Sequence, residues 1–174
     1  MTTAPELVDV LPAHRFDEER LLAWLQAELP EVGERLDVRQ FQGGQSNPTF
    51  LLDTDGGQYV LRKKPPGKTL PSAHMVEREY RVMKALADHT GVPVPRVRVL
   101  CEDSAVVGTP FYVMDFLQGR IISHSALPDL VREDRLLAHR SAVDTLATLH
   151  SVDVNAIGLG DYGRPEGYVA RQVA

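Results

Sequence analysis

The sequence predicts an α+β fold, a five-stranded antiparallel sheet with packed helices, and three observations carry that prediction. Two segments, Phe16 to Leu29 and about Ala73 to Asp88, repeat apolar residues at helical spacing. Short runs rich in β-branched and aromatic residues lie between and after them, punctuated by glycine and proline. One pair of runs flanks Thr54-Asp55-Gly56-Gly57, a strong hairpin signal. With 174 residues and 43% hydrophobic content, the chain can bury one ordinary core, or one small core plus part of another.

The elements follow in order. Asp17 is placed to cap the first helix, acids fill its first turn, and Leu21, Leu22, Trp24, Leu25 and Leu29 recur at helical spacing. Pro30 and Gly33 end it, and Leu36 to Gln42 then forms a short strand before a Gly43-Gly44 turn. Phe50 to Asp53 and Gln58 to Arg62 make the hairpin. Pro65-Pro66-Gly67 stops its second strand. Val76, Tyr80, Met83 and Ala87 line one stripe of the next helix, which is expected to pack on the sheet. Pro93-Val94-Pro95 forces an extended connection into Val97 to Leu100 and Phe111 to Met114, two further strands joined by the acidic turn Glu102-Asp103-Ser104. Leu130 to His150 reads as a second long helix. Ser151 to Ala174 carries no core stripe.

Composition removes several classes of function. A net charge of −5 argues against nonspecific nucleic-acid binding, which uses a basic face to neutralise phosphates. Cys101 is the only cysteine, so neither an intrachain disulfide nor a thiolate zinc site is expected. No apolar run approaches the roughly 20 residues of a membrane-crossing helix, and Met1 to Glu6 lacks the features of a secretory signal. The expected setting is cytoplasmic, with no membrane partner.

Chemistry is concentrated around Tyr59-Val60-Leu61-Arg62-Lys63-Lys64. Strand alternation puts Val60 and Arg62 on one face and Leu61 and Lys63 on the other. A cation two residues beyond a small apolar side chain can hold a phosphate while the apolar group covers a base; the same triplet also reads as solvated strand-end charge. Glu79 borders the apolar helical stripe, where it can pair either with a cation on the sheet or with Arg78 or Arg81 on its own helix. Glu77 is offset from that stripe. Gly43-Gly44-Gln45-Ser46-Asn47 can be a plain hairpin turn, or a loop whose amides, Ser46 and Asn47 donate to phosphate oxygens. Asp115 to Gly119 can be a linker or a segment whose main chain meets an adenine edge. His150, at the end of its helix, reads as a capping residue before it reads as a ligand or base.

Taken in order, Gly43-Gly44-Gln45-Ser46-Asn47, Tyr59-Val60-Leu61-Arg62-Lys63, Val76-Glu77-Arg78-Glu79, Val92-Pro93-Val94-Pro95 and Phe111-Tyr112-Val113-Met114-Asp115-Phe116 resemble the aminoglycoside phosphotransferase and choline kinase-like superfamily. The nearest likeness is to the kinase-like module related to acyl-CoA dehydrogenase fusion proteins. The resemblance runs from about Arg39 through Gly163. It implies a protein-kinase-like N-lobe over residues 36–115, preceded by a helical extension over 1–35 and followed over 116–174 by the hinge and first helix of an incomplete C-lobe. It further implies that Gly43 to Asn47 cover phosphates, that Arg62 stands where kinases use a strand lysine, and that Glu79 is its helix partner. Val60 would roof the adenine, with the Asp115 carbonyl and Leu117 amide serving the hinge.

Three departures from the family pattern qualify this, the first being that the Gly43 to Asn47 segment lacks the full Gly-x-Gly-x-x-Gly pattern of protein kinases. Arginine is a broader, forked cation than lysine, and Lys63 or Lys64 is a candidate to share its role. No His-Gly-Asp loop or downstream metal-binding aspartate is found; the nearest acids, Asp153 and Asp161, lack that context. The expectation is therefore an ATP-binding N-terminal part of a phosphotransferase acting on a small-molecule hydroxyl, inactive alone, with Mg2+ ligands and most substrate contacts elsewhere. The chain then reads as truncated, as a fragmentary gene product, or as a domain whose catalytic half lies elsewhere, with self-association through the exposed lobe interface. The alternative is a noncatalytic nucleotide-binding or regulatory kinase-like module.

Overall fold

The computed structural model describes residues 2–3, 6–42, 47–67, 74–122, 124–163 and 166–173. Its elements are β1 (Thr2–Thr3), β2 (Leu7–Val8), α1 (Glu18–Glu28), β3 (Leu36–Phe41), β4 (Thr49–Thr54), β5 (Gly57–Lys63), α2 (Val76–His89), β6 (Val97–Cys101), α3 (Ser104–Val107), β7 (Phe111–Asp115), β8 (Ile121–Ile122), α4 (Arg132–His150) and α5 (Tyr168–Val173). One antiparallel sheet has the order β2-β3-β4-β5-β7-β6. β1 and β8 form a separate two-stranded ribbon.

The sheet therefore has six strands where five are expected. The added edge is Leu7–Val8, paired with Phe41 and Gln40. Two residues are too few to display an alternating pattern, so the pairing is set by β3 and not by β2 itself. The acidic turn between β6 and β7 also differs: Asp103 caps the short helix α3 by accepting from the Ala105 amide (2.8 Å), and Gly108 closes it with a φ of 85°.

α1 and α3 cover one face of the sheet, where Leu21 and Leu25 pack with Phe50, Leu52, Leu61, Phe111 and Val113. Asp17 caps α1 as expected, accepting from the Arg20 amide at 3.0 Å. The other face takes α2, whose Val76, Tyr80 and Met83 meet Val97, Tyr112 and Met114. Each fully buried side chain of this kind contributes about 1.5–3 kcal/mol, so both helices are fixed mainly by their apolar stripes.

The β4–β5 hairpin turns at Asp55-Gly56, with Thr54 paired to Gly57. The Asp55 carboxylate accepts from the Glu34 and Arg35 amides (2.9 and 2.8 Å), which clamps the turn to the end of the α1–β3 connection. Gly56 lies so close to that connection that a Cβ would fall 1.8 Å from the Glu31 carbonyl oxygen. Beyond β8, α4 has no buried residue, and Leu136, Leu137, Val143 and Leu146 on it are exposed. Among the described residues, no helix is long and apolar enough to cross a membrane.

Candidate functional site

β5 runs between β4 and β7, and its register puts Thr49, Arg62 and Tyr112 in one cross-strand row. Paired residues in adjacent strands project to the same face. All three side chains thus emerge on the α2 side of the sheet, where the first turn of α2 presents Glu79. Arg62 Nε donates to Glu79 Oε2 at 2.6 Å and Nη2 to Oε1 at 3.4 Å. Its Nη1 donates to Thr49 Oγ1 at 3.1 Å and to the Asn47 carbonyl at 3.5 Å. Of the two readings of Glu79, the pairing with a cation on the sheet is the one realised.

Glu79 collects further donors. Asn47 Nδ2 reaches Oε1 at 3.0 Å, and the Tyr112 hydroxyl reaches Oε2 at 3.1 Å. Burial, and then the neighbouring Glu79 charge, push the Tyr112 phenol well above its ordinary pKa, so it remains a proton donor to the carboxylate. Asn47 is itself buried, and its Oδ1 lies 3.0 Å from His74 Nδ1. Because a carboxylate only accepts, Asn47 must turn its amide nitrogen to Glu79 and its oxygen to His74, which requires the proton on Nδ1. His74 holds this place from a left-handed backbone, φ 60°. The result is a chain of polar contacts, His74–Asn47–Glu79–Arg62, closed on the sheet by Thr49 and Tyr112. Thr49, Tyr112 and His74 are site residues that the sequence reading missed.

The two lysines after Arg62 are placed differently from it. Lys63 points to the opposite face, buried at 3% exposure, where Nζ donates to the Val107 carbonyl at 2.5 Å and lies 5.1 Å from the centre of the Phe16 ring. Burial lowers its pKa. Lys64 pairs with Glu77 at 3.1 Å. The Arg62–Glu79 and Lys64–Glu77 contacts form successive rungs between the end of β5 and the first turn of α2.

The next row on Arg62's face is Leu51, Val60 and Met114, and Val60 is buried. β7 ends one residue later. The Asp115 side chain turns to the other face, where Arg98 Nε donates to it at 2.5 Å, leaving its main chain beside Val60's strand. The Phe116 ring stacks on Phe41, the last residue of β3, at 6.4 Å between centres. Leu117 is exposed. The structure thus brings Asn47, Arg62 and Glu79 into contact, with Val60 and the Asp115–Leu117 segment along the same strand pair; Gly43, Gly44, Gln45 and Ser46 lie outside the described residues.

The remaining acids have other work. Asp153 Oδ1 accepts from the Asn155 and Ala156 amides (2.9 and 3.2 Å), stabilising the turn after α4, and Asp161 is held by Arg81. Among the described residues, no three His, Cys, Asp or Glu side chains are grouped to hold a metal ion.

A model described as the phosphotransferase enzyme family matches residues 37–174. The chain is 46% identical over 179 residues to a probable acyl-CoA dehydrogenase of Arabidopsis thaliana, covering 99% of this chain and 22% of that protein. It is 44% identical over 178 residues to acyl-CoA dehydrogenase family member 11 of Rattus norvegicus, covering 100% and 23%. A crystal structure of a Ralstonia eutropha protein, described as a candidate aminoglycoside phosphotransferase, superposes with a TM-score of 0.78 at 45% identity, over 91% of this chain and 45% of that one. The chain therefore spans less than a quarter of the length of these curated relatives. By the family match over most of its length, together with a kinase-like sheet and helix arrangement, the chain belongs to the phosphotransferase enzyme family.

Proposed function

We propose that this chain is the ATP-binding part of a phosphotransferase that transfers a phosphoryl group to a small-molecule hydroxyl. The observation that carries the reading is the Arg62–Glu79 pair, a cation on a central strand held by an acid on the packed helix, beside an apolar row. Phosphoryl transfer depends chiefly on positioning and electrostatics, and such a pair positions the α- and β-phosphates in kinases. In this reading Gly43, Gly44, Gln45, Ser46 and Asn47 cover the phosphates, Val60 roofs the adenine, and the Asp115 carbonyl and Leu117 amide meet its edge. Lys63, on the opposite face, takes no part. The acyl-CoA dehydrogenase names of the relatives favour hydroxyacyl thioesters over aminoglycosides or choline-like alcohols as substrates.

Among the described residues no three His, Cys, Asp or Glu side chains converge, and we assign no metal ligand to this chain. Asp153 and Asp161 are engaged in structural contacts, so transfer is assigned to groups outside the chain and no turnover is expected from it alone. The same engagement favours, as a second reading, a nucleotide-binding module without catalysis. The test is titration of the chain with ATP and magnesium, followed by NMR. Shifts confined to Arg62, Val60 and Leu117 support the reading. No change at these residues up to about 10 mM, far beyond an affinity of only about 4 kcal/mol, would refute nucleotide binding.

A further inference from the structure

Two arginines on α2 have no part in the site just described, yet both are fully committed. Arg78 and Arg81 are three residues apart, hence on one side of the helix, about 100° from Glu79 for Arg78 at 3.6 residues per turn. Both reach the turn that follows α4. Arg81 forks onto Asp161 through both Nη atoms and also donates to the Gly158 carbonyl at 2.7 Å. Arg78 Nη2 donates to the Tyr162 carbonyl at 2.7 Å, and its guanidinium lies 4.1 Å from the centre of the Tyr162 ring.

That turn is internally hydrogen-bonded. Its backbone closes on itself, with the Leu159 amide donating to the Val154 carbonyl at 2.8 Å and Asp153 accepting from the Asn155 and Ala156 amides that follow it. Ser151 ties it to the last turn of α4 through the Ala147 carbonyl. Behind the arginines, α2 and the turn do not close together: a pocket of about 410 Å³ lies between Val82 and Leu86 on one side and Leu149, Val152 and Leu159 on the other. Apolar packing across that gap is therefore incomplete, and the polar contacts of Arg78 and Arg81 bridge it.

We propose that Arg78 and Arg81 are positioning residues for the clamp: by fastening α2 to the turn after α4, they hold Glu79 in register with Arg62. An isolated exposed ion pair contributes little. Here the pair is bidentate, shares a backbone acceptor and is joined by a second arginine stacked on an aromatic ring, which supplies geometry more than energy. Glu79 sits between the two arginines in sequence, so a rotation or shift of α2 that broke the latch would carry Glu79 away from Arg62. The functional meaning of the latch rests on the nucleotide reading of that pair; its mechanics do not.

The experiment follows the Arg62 Nε proton by NMR in the intact chain without nucleotide, since its exchange with solvent reports the Arg62–Glu79 contact directly. Arg81→Ala and Asp161→Asn are each expected to speed that exchange about fivefold or more, leaving amide protection of Leu61 and Val113 unchanged, and the double reversal Arg81→Asp with Asp161→Arg to restore it within about twofold. Arg81→Lys, which keeps the charge and loses the fork, should fall between. Unchanged exchange in both single variants overturns the latch, as does loss of Leu61 and Val113 protection in step with Arg62, which would mean general destabilisation. A titration of the unaltered chain with ATP and magnesium separates the two ideas. If the variants loosen Arg62 while ATP does not perturb it, the nucleotide reading fails and the latch stands; if ATP perturbs Arg62 and the variants leave its exchange unaltered, the reverse holds.

Discussion

Glu79→Gln is the most informative single change, because it keeps the size of the side chain and removes only its charge and half of its accepting capacity. Four contacts converge on the carboxylate: Arg62 Nε at 2.6 Å and Tyr112 OH at 3.1 Å on Oε2, Asn47 Nδ2 at 3.0 Å and Arg62 Nη2 at 3.4 Å on Oε1. A glutamine has one carbonyl oxygen. Whichever position it takes, its NH2 group confronts donors on the other side. Leaving a donor unpaired costs about 1–3 kcal/mol when it is buried. The Arg62 and Glu79 side chains retain 28% and 35% exposure, so water relieves part of that penalty. A net loss on the order of 2 kcal/mol results, which in a domain of this length lowers the melting temperature by about 4–8 °C. Urea unfolding followed through Trp24 measures it, because the only tryptophan packs edge-on against Phe111, 5.0 Å away, on the far side of the sheet and reports global unfolding without touching the mutated site. A midpoint equal to that of the parent chain would show that the carboxylate is hydrated in solution and that the clamp is not formed before ligand arrives.

Two other substitutions test the placement of neighbouring groups. Lys63→Met should leave nucleotide affinity unchanged, because Lys63 lies on the opposite face, and should not lower stability at neutral pH, since a buried charge is replaced by an apolar side chain. Its pH dependence is diagnostic: the folded pKa is below the ordinary 10.5, so between the two values the unfolded chain holds a proton that the folded chain has lost, and stability rises with pH through that window. Urea midpoints up to pH about 10 should rise in the parent and be flatter in the Lys63→Met chain; equal slopes would remove Lys63 as their source. Gly56→Ala drives a Cβ to 1.8 Å from the Glu31 carbonyl and 2.7 Å from its carbon, both backbone atoms, and should cost about 3 kcal/mol in thermal unfolding, whereas Gly91→Ala, with open space at its Cβ, should change stability by under about 0.5 kcal/mol.

Much of this arrangement is legible in residue order because it is local. Helical spacing puts Glu79 next to the stripe of Val76, Tyr80 and Met83, and strand alternation separates Arg62 from Lys63. Which face of the strand meets α2 is not local, so Lys63 remains a candidate until the sheet is assembled. Tyr112 is missed for a related reason. It becomes Arg62's neighbour only because β7, and not β6, lies beside β5, a strand order that no periodicity encodes. Thr49 could have been found, because counting the register back from the Thr54-Asp55-Gly56-Gly57 turn puts it opposite Arg62. His74 and the partners of Arg78 and Arg81 depend on loop paths, and loops carry the weakest sequence pattern. The extra strand Leu7–Val8 is too short to have one.

The presence of arginine at position 62 has a physical consequence for how a ligand must engage the site. Each of its nitrogens is already engaged: Nε and Nη2 on Glu79, and Nη1 on Thr49 Oγ1 and, more weakly at 3.5 Å, on the Asn47 carbonyl. A lysine ammonium is a compact charge whose donors rotate freely, so it can keep one for the acid and turn the others to phosphate. The guanidinium fork cannot redistribute its donors in that way. It sets the position of the cation in advance, at the cost of donors left over for a ligand. A phosphate that approaches Arg62 must therefore use the remaining Nη2 proton or displace the longest contact, the one to Asn47. Asn47 also bridges Glu79 and His74, so displacement there would be transmitted to the acid and the imidazole together. Arg62 is thus held by its neighbours on both sides, and the contact to the Asn47 carbonyl is the one a phosphate would displace if it did not use the free Nη2 proton.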